Sequence, residues 1–133
     1  MLSRKGYDFG AATDRILKCA VEVHKELGPY FMETTYQTAL ALELQAEGLE
    51  FERECTVPIL YKGKRVDRRR LDFLVEDVVV EIKAKAAIEK VDVVQTLGYL
   101  KATEYKLALL INFGSDKLEV KRLKLDEKRR EKC

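Results

Sequence analysis

The chain is poor in the side chains that build the commonest metal and redox centres. Its single histidine, His24, excludes a mononuclear zinc site with two or three His ligands. The three cysteines, Cys19, Cys55 and Cys133, form no Cys-x-x-Cys and are odd in number, which argues against a disulfide framework and for a reducing compartment. Cys19 and His24 do not make a thiol–imidazole pair, because five helical steps set them about 140° apart around the axis. Charge of one sign is lacking as well: 25 Lys+Arg against 23 Asp+Glu leave +2, with neither a basic nucleic-acid tail nor an acidic solvating composition. Long hydrophobic runs are absent too. Leu107 to Ser115, the longest uncharged stretch of the second half, is about half of what a bilayer requires, and the segment Met1 to Asp8 lacks the apolar run of a signal peptide. The expectation is a cytoplasmic protein with no membrane partner.

What is present is enough for one core. With 133 residues, 47% hydrophobic and 36% charged, the chain is one globular domain that folds without staples. Residues 1–12 carry little pattern and read as an arm, 13–125 as the domain, and 126–133 as a charged, frayed tail. Ile16, Ala20, Val23 and Leu27 recur at helical spacing, predicting a helix over 13–27 capped by Thr13 and stopped at Gly28-Pro29. A second helix spans 33–47, with Tyr36, Ala39, Leu40 and Leu44 inward. The period then drops to two: Phe51 to Tyr61 reads as a strand whose Pro58 favours an edge, Lys62-Gly63-Lys64 as a turn, and 70–75 and 78–84 as two further strands. A third helix over 88–103, apolar at Val91, Val94, Leu97 and Leu100, precedes a doubly buried strand over 107–113 and a last strand over 118–123. The order α-α-β-β-β-α-β-β predicts an α/β (α+β) mixed sheet flanked by helices, which by itself names no function.

The informative segment is Arg70 to Ala84. If Glu76-Asp77 is a two-residue turn, Val75 pairs with Val78 and Asp72 falls opposite Glu81, with Lys83 on the same face; Leu71, Phe73, Val75, Val78, Val80 and Ile82 form the other. Two opposed carboxylates repel, and a hard divalent cation between them would remove the repulsion. Lys83 would then supply a point charge at a phosphate or orient water, as phosphodiester hydrolysis needs. The same residues also fit a solvated salt-bridge face, since acid-x-Lys recurs at Glu104/Lys106, Glu119/Lys121 and Asp126/Lys128. Basic residues gather at Lys62, Lys64, Arg65, Arg68, Arg69 and Arg70. They form either phosphate contacts beside that face or a solvated hairpin tip.

Asp72 and Glu81-Ile82-Lys83, in this order of elements, resemble the PD-(D/E)xK nuclease superfamily, and Gln95-Thr-Leu-Gly-Tyr99 is similar to the Gln-x-x-x-Tyr of RecB-like domains. Val21 to Gly28, Glu33-Thr-Thr-Tyr36, Arg70 to Glu76 and Leu109 to Phe113 further resemble the GxxExxY family, although Tyr30 stands where that motif has glycine. The resemblance implies a restriction-endonuclease-like αβββαβ core with an extra N-terminal helix and a C-terminal strand. It also implies Mg²⁺ (or Mn²⁺) held by Asp72, Glu81 and the Ile82 carbonyl, Lys83 as the catalytic cation, and Gln95 and Tyr99 orienting the site. Glu33 becomes a candidate third acid, its alternative being compensation of a helix N-terminus. His24 either lines the same cleft or packs on the apolar helix face. The expected partner is nucleic acid, DNA before RNA, with a homodimer compatible with so small a chain. The alternatives are a catalytically silent module on this fold that binds nucleic acid or a protein, and an oligomeric protein pairing through the 118–123 edge.

Overall fold

The computed structural model describes residues 9–125, so the tail over 126–133 and residues 1–8 of the arm expected over 1–12 lie outside the described residues, while 9–12 belong to the first helix. Among the described residues, three helices and five strands follow in the expected order: α1 Phe9–Leu27, α2 Glu33–Ala46, β1 Phe51–Tyr61, β2 Lys64–Val75, β3 Val78–Lys83, α3 Lys90–Ala102, β4 Leu107–Asn112 and β5 Glu119–Leu123. The strands form one sheet in the order β1-β2-β3-β4-β5, parallel only between β3 and β4. The central pair is buried nearly throughout, as continuous apolar runs require. Pro58 lies on the edge strand β1, and β5 is the opposite edge.

The helices cover both faces. On one, Ile16, Ala20 and Val23 of α1 and Tyr36, Leu40 and Leu44 of α2 pack against Phe73, Val80, Ile82 and Leu109. On the other, Tyr99 and Leu100 of α3 pack against Leu71, Val79 and Ala108. Leu71 therefore lies opposite Phe73 rather than on its face, correcting the strict alternation expected from the sequence. The reason is local. Glu54 on β1 has φ of 57°, and neither it nor Asp72 across from it joins the ladder, which runs Arg53↔Phe73 and then Cys55↔Leu71. One left-handed residue in a strand adds twist, and the side chains beyond it change sides.

Three further expectations are corrected. Helix α1 begins at Phe9, so Thr13 is a buried interior residue and not a cap; its Oγ1 is, among the described residues, the buried side-chain oxygen without a hydrogen-bond partner. Strand β2 begins at Lys64, not 70, because the basic run pairs with Thr56–Tyr61 into a long exposed hairpin closed by Lys62 and Gly63, both at positive φ. Helix α3 is rotated: Val91 and Val94 are exposed, whereas Asp92, Thr96, Tyr99 and Leu100 are buried. Polar groups win the inward face because each finds a partner. Asp92 accepts from Lys85 Nζ at 2.9 Å and closes a capping box with Glu89, and Thr96 Oγ1 donates to the Asp92 carbonyl.

Gly98 sits inside α3, where alanine would be better by about 1 kcal/mol. A Cβ there would meet nothing within 4 Å, so no internal contact calls for the glycine. Gly114 is the opposite case. A Cβ on it would lie 2.4 Å from the Lys85 backbone nitrogen, and its absence lets the chain after β4 close on the exit of β3.

Candidate active site

The turn that sets the register is Glu76-Asp77, with φ of 48° and 70° at residues that pay a steric penalty there. Its support comes from a neighbouring segment: Glu76 N–H donates to the Glu50 carbonyl, and Glu76 Oε2 accepts from Glu50 N–H at 3.0 Å. The expected Val75↔Val78 pairing follows, and the ladder continues through Leu74↔Val79 to Phe73↔Val80.

There it stops, one position short of the Asp72–Glu81 pairing read from the sequence. Beyond it, side chains take over from the backbone. Asp72 N–H donates to Glu81 Oε1 at 2.9 Å, and Ile82 N–H donates to Asp72 Oδ2 at 2.8 Å. Each carboxylate thus bonds the opposite strand's backbone, and the two are held side by side where β2 and β3 part. Each also keeps one oxygen outside this reciprocal clamp. Glu81 is only 3% exposed. Burial first, then the Asp72 charge, push its carboxyl from 4.5 up to about 8, against the opposing pull of the Asp72 N–H and Lys83. Asp72 is raised in the same direction by burial and by Glu33, with the Ile82 N–H, Lys83 and Arg70 working against it. The pair therefore shares a deficit of positive charge, and its protons come off as a coupled set.

Around this pair the fold gathers several of the predicted residues. Lys83, two residues after Glu81, donates from Nζ to Gln95 Oε1 at 3.2 Å, so the third strand and α3 meet at the site. Tyr99, one helical turn after Gln95, is buried, and its hydroxyl is pushed up to about 12 by burial and by the nearby Glu81 and Asp72 charges. Glu33, the first residue of α2, reaches the pair through its charge. Tyr36 secures the loop before it: its hydroxyl donates to the Gly28 carbonyl and accepts from Phe31 N–H at 3.1 Å, and its ring stacks on Phe113 at 4.8 Å. His24 lies in the same layer, with Nε2 3.0 Å from the Ser115 carbonyl and the ring tilted against Phe113, an arrangement of packing.

The basic run divides. Arg70 acts on Asp72 and Arg69 on Tyr99. Lys64 lies eight residues up β2 from Asp72, a strand length of roughly 26 Å, and Lys62 lies beyond it in the turn. Neither reaches a phosphate held at the carboxylates. Arg65 and Arg68 lie between, on the exposed part of the hairpin.

Sequence reasoning missed the frame behind Lys83. Fully buried Asn112, the register partner of Lys83 on β4, accepts from Lys85 N–H with Oδ1 and donates from Nδ2 to the Lys85 carbonyl and to Glu119 Oε1. Glu119 Oε1 also accepts from Ile88 N–H. Together with the Lys85–Asp92 ion pair, this fixes the path from β3 into α3 and hence Gln95 beside Lys83. Two signals were available in the sequence: a lone amide at the end of an apolar strand, and the Glu89-x-x-Asp92 spacing of a capping box.

The two carboxylates and the Ile82 carbonyl are hard oxygen donors of the kind that suit Mg²⁺ or Mn²⁺. Among the described residues, however, no group of three or more His, Cys, Asp or Glu side chains stands ready to hold a metal. Nor, among them, is any helix long and apolar enough to cross a membrane. Comparison with curated proteins and with solved structures gives no match. A family model described as the PD-(D/E)XK nuclease superfamily matches residues 11–123. That span runs from the first turn of α1 to the end of β5 and takes in the Asp72, Glu81 and Lys83 positions, and the chain belongs to the PD-(D/E)XK nuclease superfamily.

Proposed function

We propose that this chain is a metal-dependent phosphodiesterase acting on nucleic acid, DNA before RNA, of the GxxExxY branch of its superfamily. The observation that carries the reading is the reciprocal clamp, which forces two carboxylates together in a buried setting where Lys83 only partly offsets burial and mutual repulsion. A structural salt-bridge face would interleave the acids with bases; here the two acids face each other.

Asp72 and Glu81, with the Ile82 carbonyl and the nearby Glu33, would hold Mg²⁺ or Mn²⁺. Bound there, the ion would activate water and neutralise charge on a phosphoryl oxygen. The chain's own residues do the rest. The Ile82 and Asp72 N–H groups fix one oxygen of each carboxylate, so that the remaining oxygens are aimed without reorganisation. Lys83 places an ammonium beside the pair and compensates charge that builds on the phosphate. Gln95 holds that ammonium in position and limits its swing. Arg70 draws the phosphate backbone toward the acids, and Tyr36 keeps the loop that leads into Glu33 in place.

The test is cleavage of single- and double-stranded DNA and RNA with and without Mg²⁺ or Mn²⁺. Lys83→Ala is expected to lose activity while keeping its fold, and equal activity in the two proteins would overturn the assigned role. The supply of only two closely held carboxylates favours one other reading, a module that binds nucleic acid or a protein without cutting. Calorimetry with Mn²⁺ separates them: heat of binding that disappears in Asp72→Asn and Glu81→Gln supports the hydrolase, and its absence from the wild type supports the module.

A further inference from the structure

Between α3 and the outer half of the β1–β2 hairpin lies a groove of about 510 Å³ that the carboxylate site does not account for, a volume typical of small-ligand pockets. Ile59 and Leu60 wall it on the hairpin side, and Gln95, Gly98 and Tyr99 form its α3 side. It is continuous with the proposed catalytic end, because Gln95 bonds Lys83 and Tyr99 senses the Glu81 and Asp72 charges.

Two independent features point to a ligand there. The first is the pairing of apolar surface with cations. Leu60 is 59% exposed at the groove, and Arg69 and Lys101 line it together with one acid, Asp67. Asp67 pairs with Arg69 at 2.6 Å, and the exposed Arg68 and Arg70 leave the hairpin positive. The second is Gly98. A glycine inside a helix, with open space where its Cβ would be, gives up helix stability for no internal contact. What it does provide is a flat stretch of backbone at the groove that a planar group can approach closely.

A ligand with a flat apolar face and an anionic edge meets both features. We infer that the groove is a subsite for one unpaired nucleotide next to the scissile phosphate. Its base lies between Leu60 and the Gly98 backbone over the Tyr99 floor, and its phosphate lies toward Arg69 and Lys101. The inference rests on nucleic acid being the substrate and adds that the strand entering here is single. Paired bases in a duplex are stacked and have no free face to offer, whereas sequence-tolerant binding of single strands combines such a face with a cationic track.

The experiment is fluorescence anisotropy of a labelled short oligothymidylate and of a blunt duplex, with metal chelated so that nothing is cut. The wild type is expected to bind the oligothymidylate more tightly than the blunt duplex. Gly98→Leu, whose side chain enters the groove, is expected to weaken oligothymidylate binding about tenfold. Gly98→Ala should weaken it less while raising the melting temperature, so that lost binding is separated from lost folding. Oligothymidylate binding by Gly98→Leu equal to the wild type, or wild-type preference for the blunt duplex, overturns the subsite. If either occurs in a chain that cleaves with metal, hydrolysis stands and the groove falls. If Gly98→Leu loses oligothymidylate binding in a chain that never cleaves, the groove stands and hydrolysis falls.

Discussion

Replacing Glu81 by glutamine in the metal-free protein should change how stability depends on pH more than it changes stability itself. The amide is close to isosteric and its Oε1 still accepts the Asp72 N–H, so the clamp survives. What disappears is a carboxyl that burial and Asp72 push from 4.5 to about 8. A group whose folded-state value is raised stabilises the fold fully below its unfolded value, and that stabilisation is lost as pH rises toward the folded one. Between about pH 4.5 and pH 8 the folded wild type therefore holds more protons than the unfolded chain, and its stability falls with rising pH. At about 1.4 kcal/mol per pH unit, the full window bounds the loss at about 5 kcal/mol. Sharing of the proton with Asp72 and relaxation of the site reduce this to about 2–3 kcal/mol. Urea denaturation of wild type and Glu81→Gln at pH 5, 7 and 9 in chelator reads the difference directly. The wild type should lose about 2–3 kcal/mol more than the variant across that range. Parallel pH profiles would refute the reasoning, since they would mean that Glu81 ionises in the native protein as easily as in the unfolded chain.

Added Mg²⁺ or Mn²⁺ should reverse that loss at neutral pH and raise the wild-type melting temperature, by about 2.7 kcal/mol of stability at a hundredfold excess over Kd; scanning calorimetry should show the shift disappear in Asp72→Asn. Tyr36→Phe removes the hydroxyl shared by the Gly28 carbonyl and Phe31 N–H and should cost about 1–2 kcal/mol in denaturation. If Glu33 serves the site, the same variant should also lower metal affinity, measured by calorimetry. Glu54→Gly places at the β1 twist a residue that tolerates positive φ and should raise stability by about 0.5–1 kcal/mol; a loss of that size would show that the Glu54 side chain, not the backbone, matters there. Asp92→Asn exchanges the ion pair with Lys85 for a neutral contact, and its effect should appear as weaker hydrogen-exchange protection over the first turn of α3, leaving the α1–α2 layer unchanged.

The sequence by itself determined the element order and the content of the central strands, because continuous apolar runs on β3 and β4 and helical spacing on α1 and α2 are strong local signals. It also determined the register of the ladder that leads to Asp72 and Glu81, since a two-residue turn pairs Val75 with Val78 and so Phe73 with Val80. Three matters were left to the tertiary structure, each for the same reason: the deciding partner is distant in sequence. Helix α3 turns Asp92 and Thr96 inward and Val91 and Val94 outward because Lys85 lies where it can pair Asp92, which no periodicity within the helix records. Leu71 joins the α3 side because Glu54, on the neighbouring strand, takes a left-handed conformation. The acids meet through backbone N–H donors rather than as an ordinary ladder pair because the ladder between β2 and β3 ends one position before them. The residue types of the site are thus written locally, whereas their charge state and aim are set where two strands separate and the crossover helix α3 brings Gln95 to Lys83.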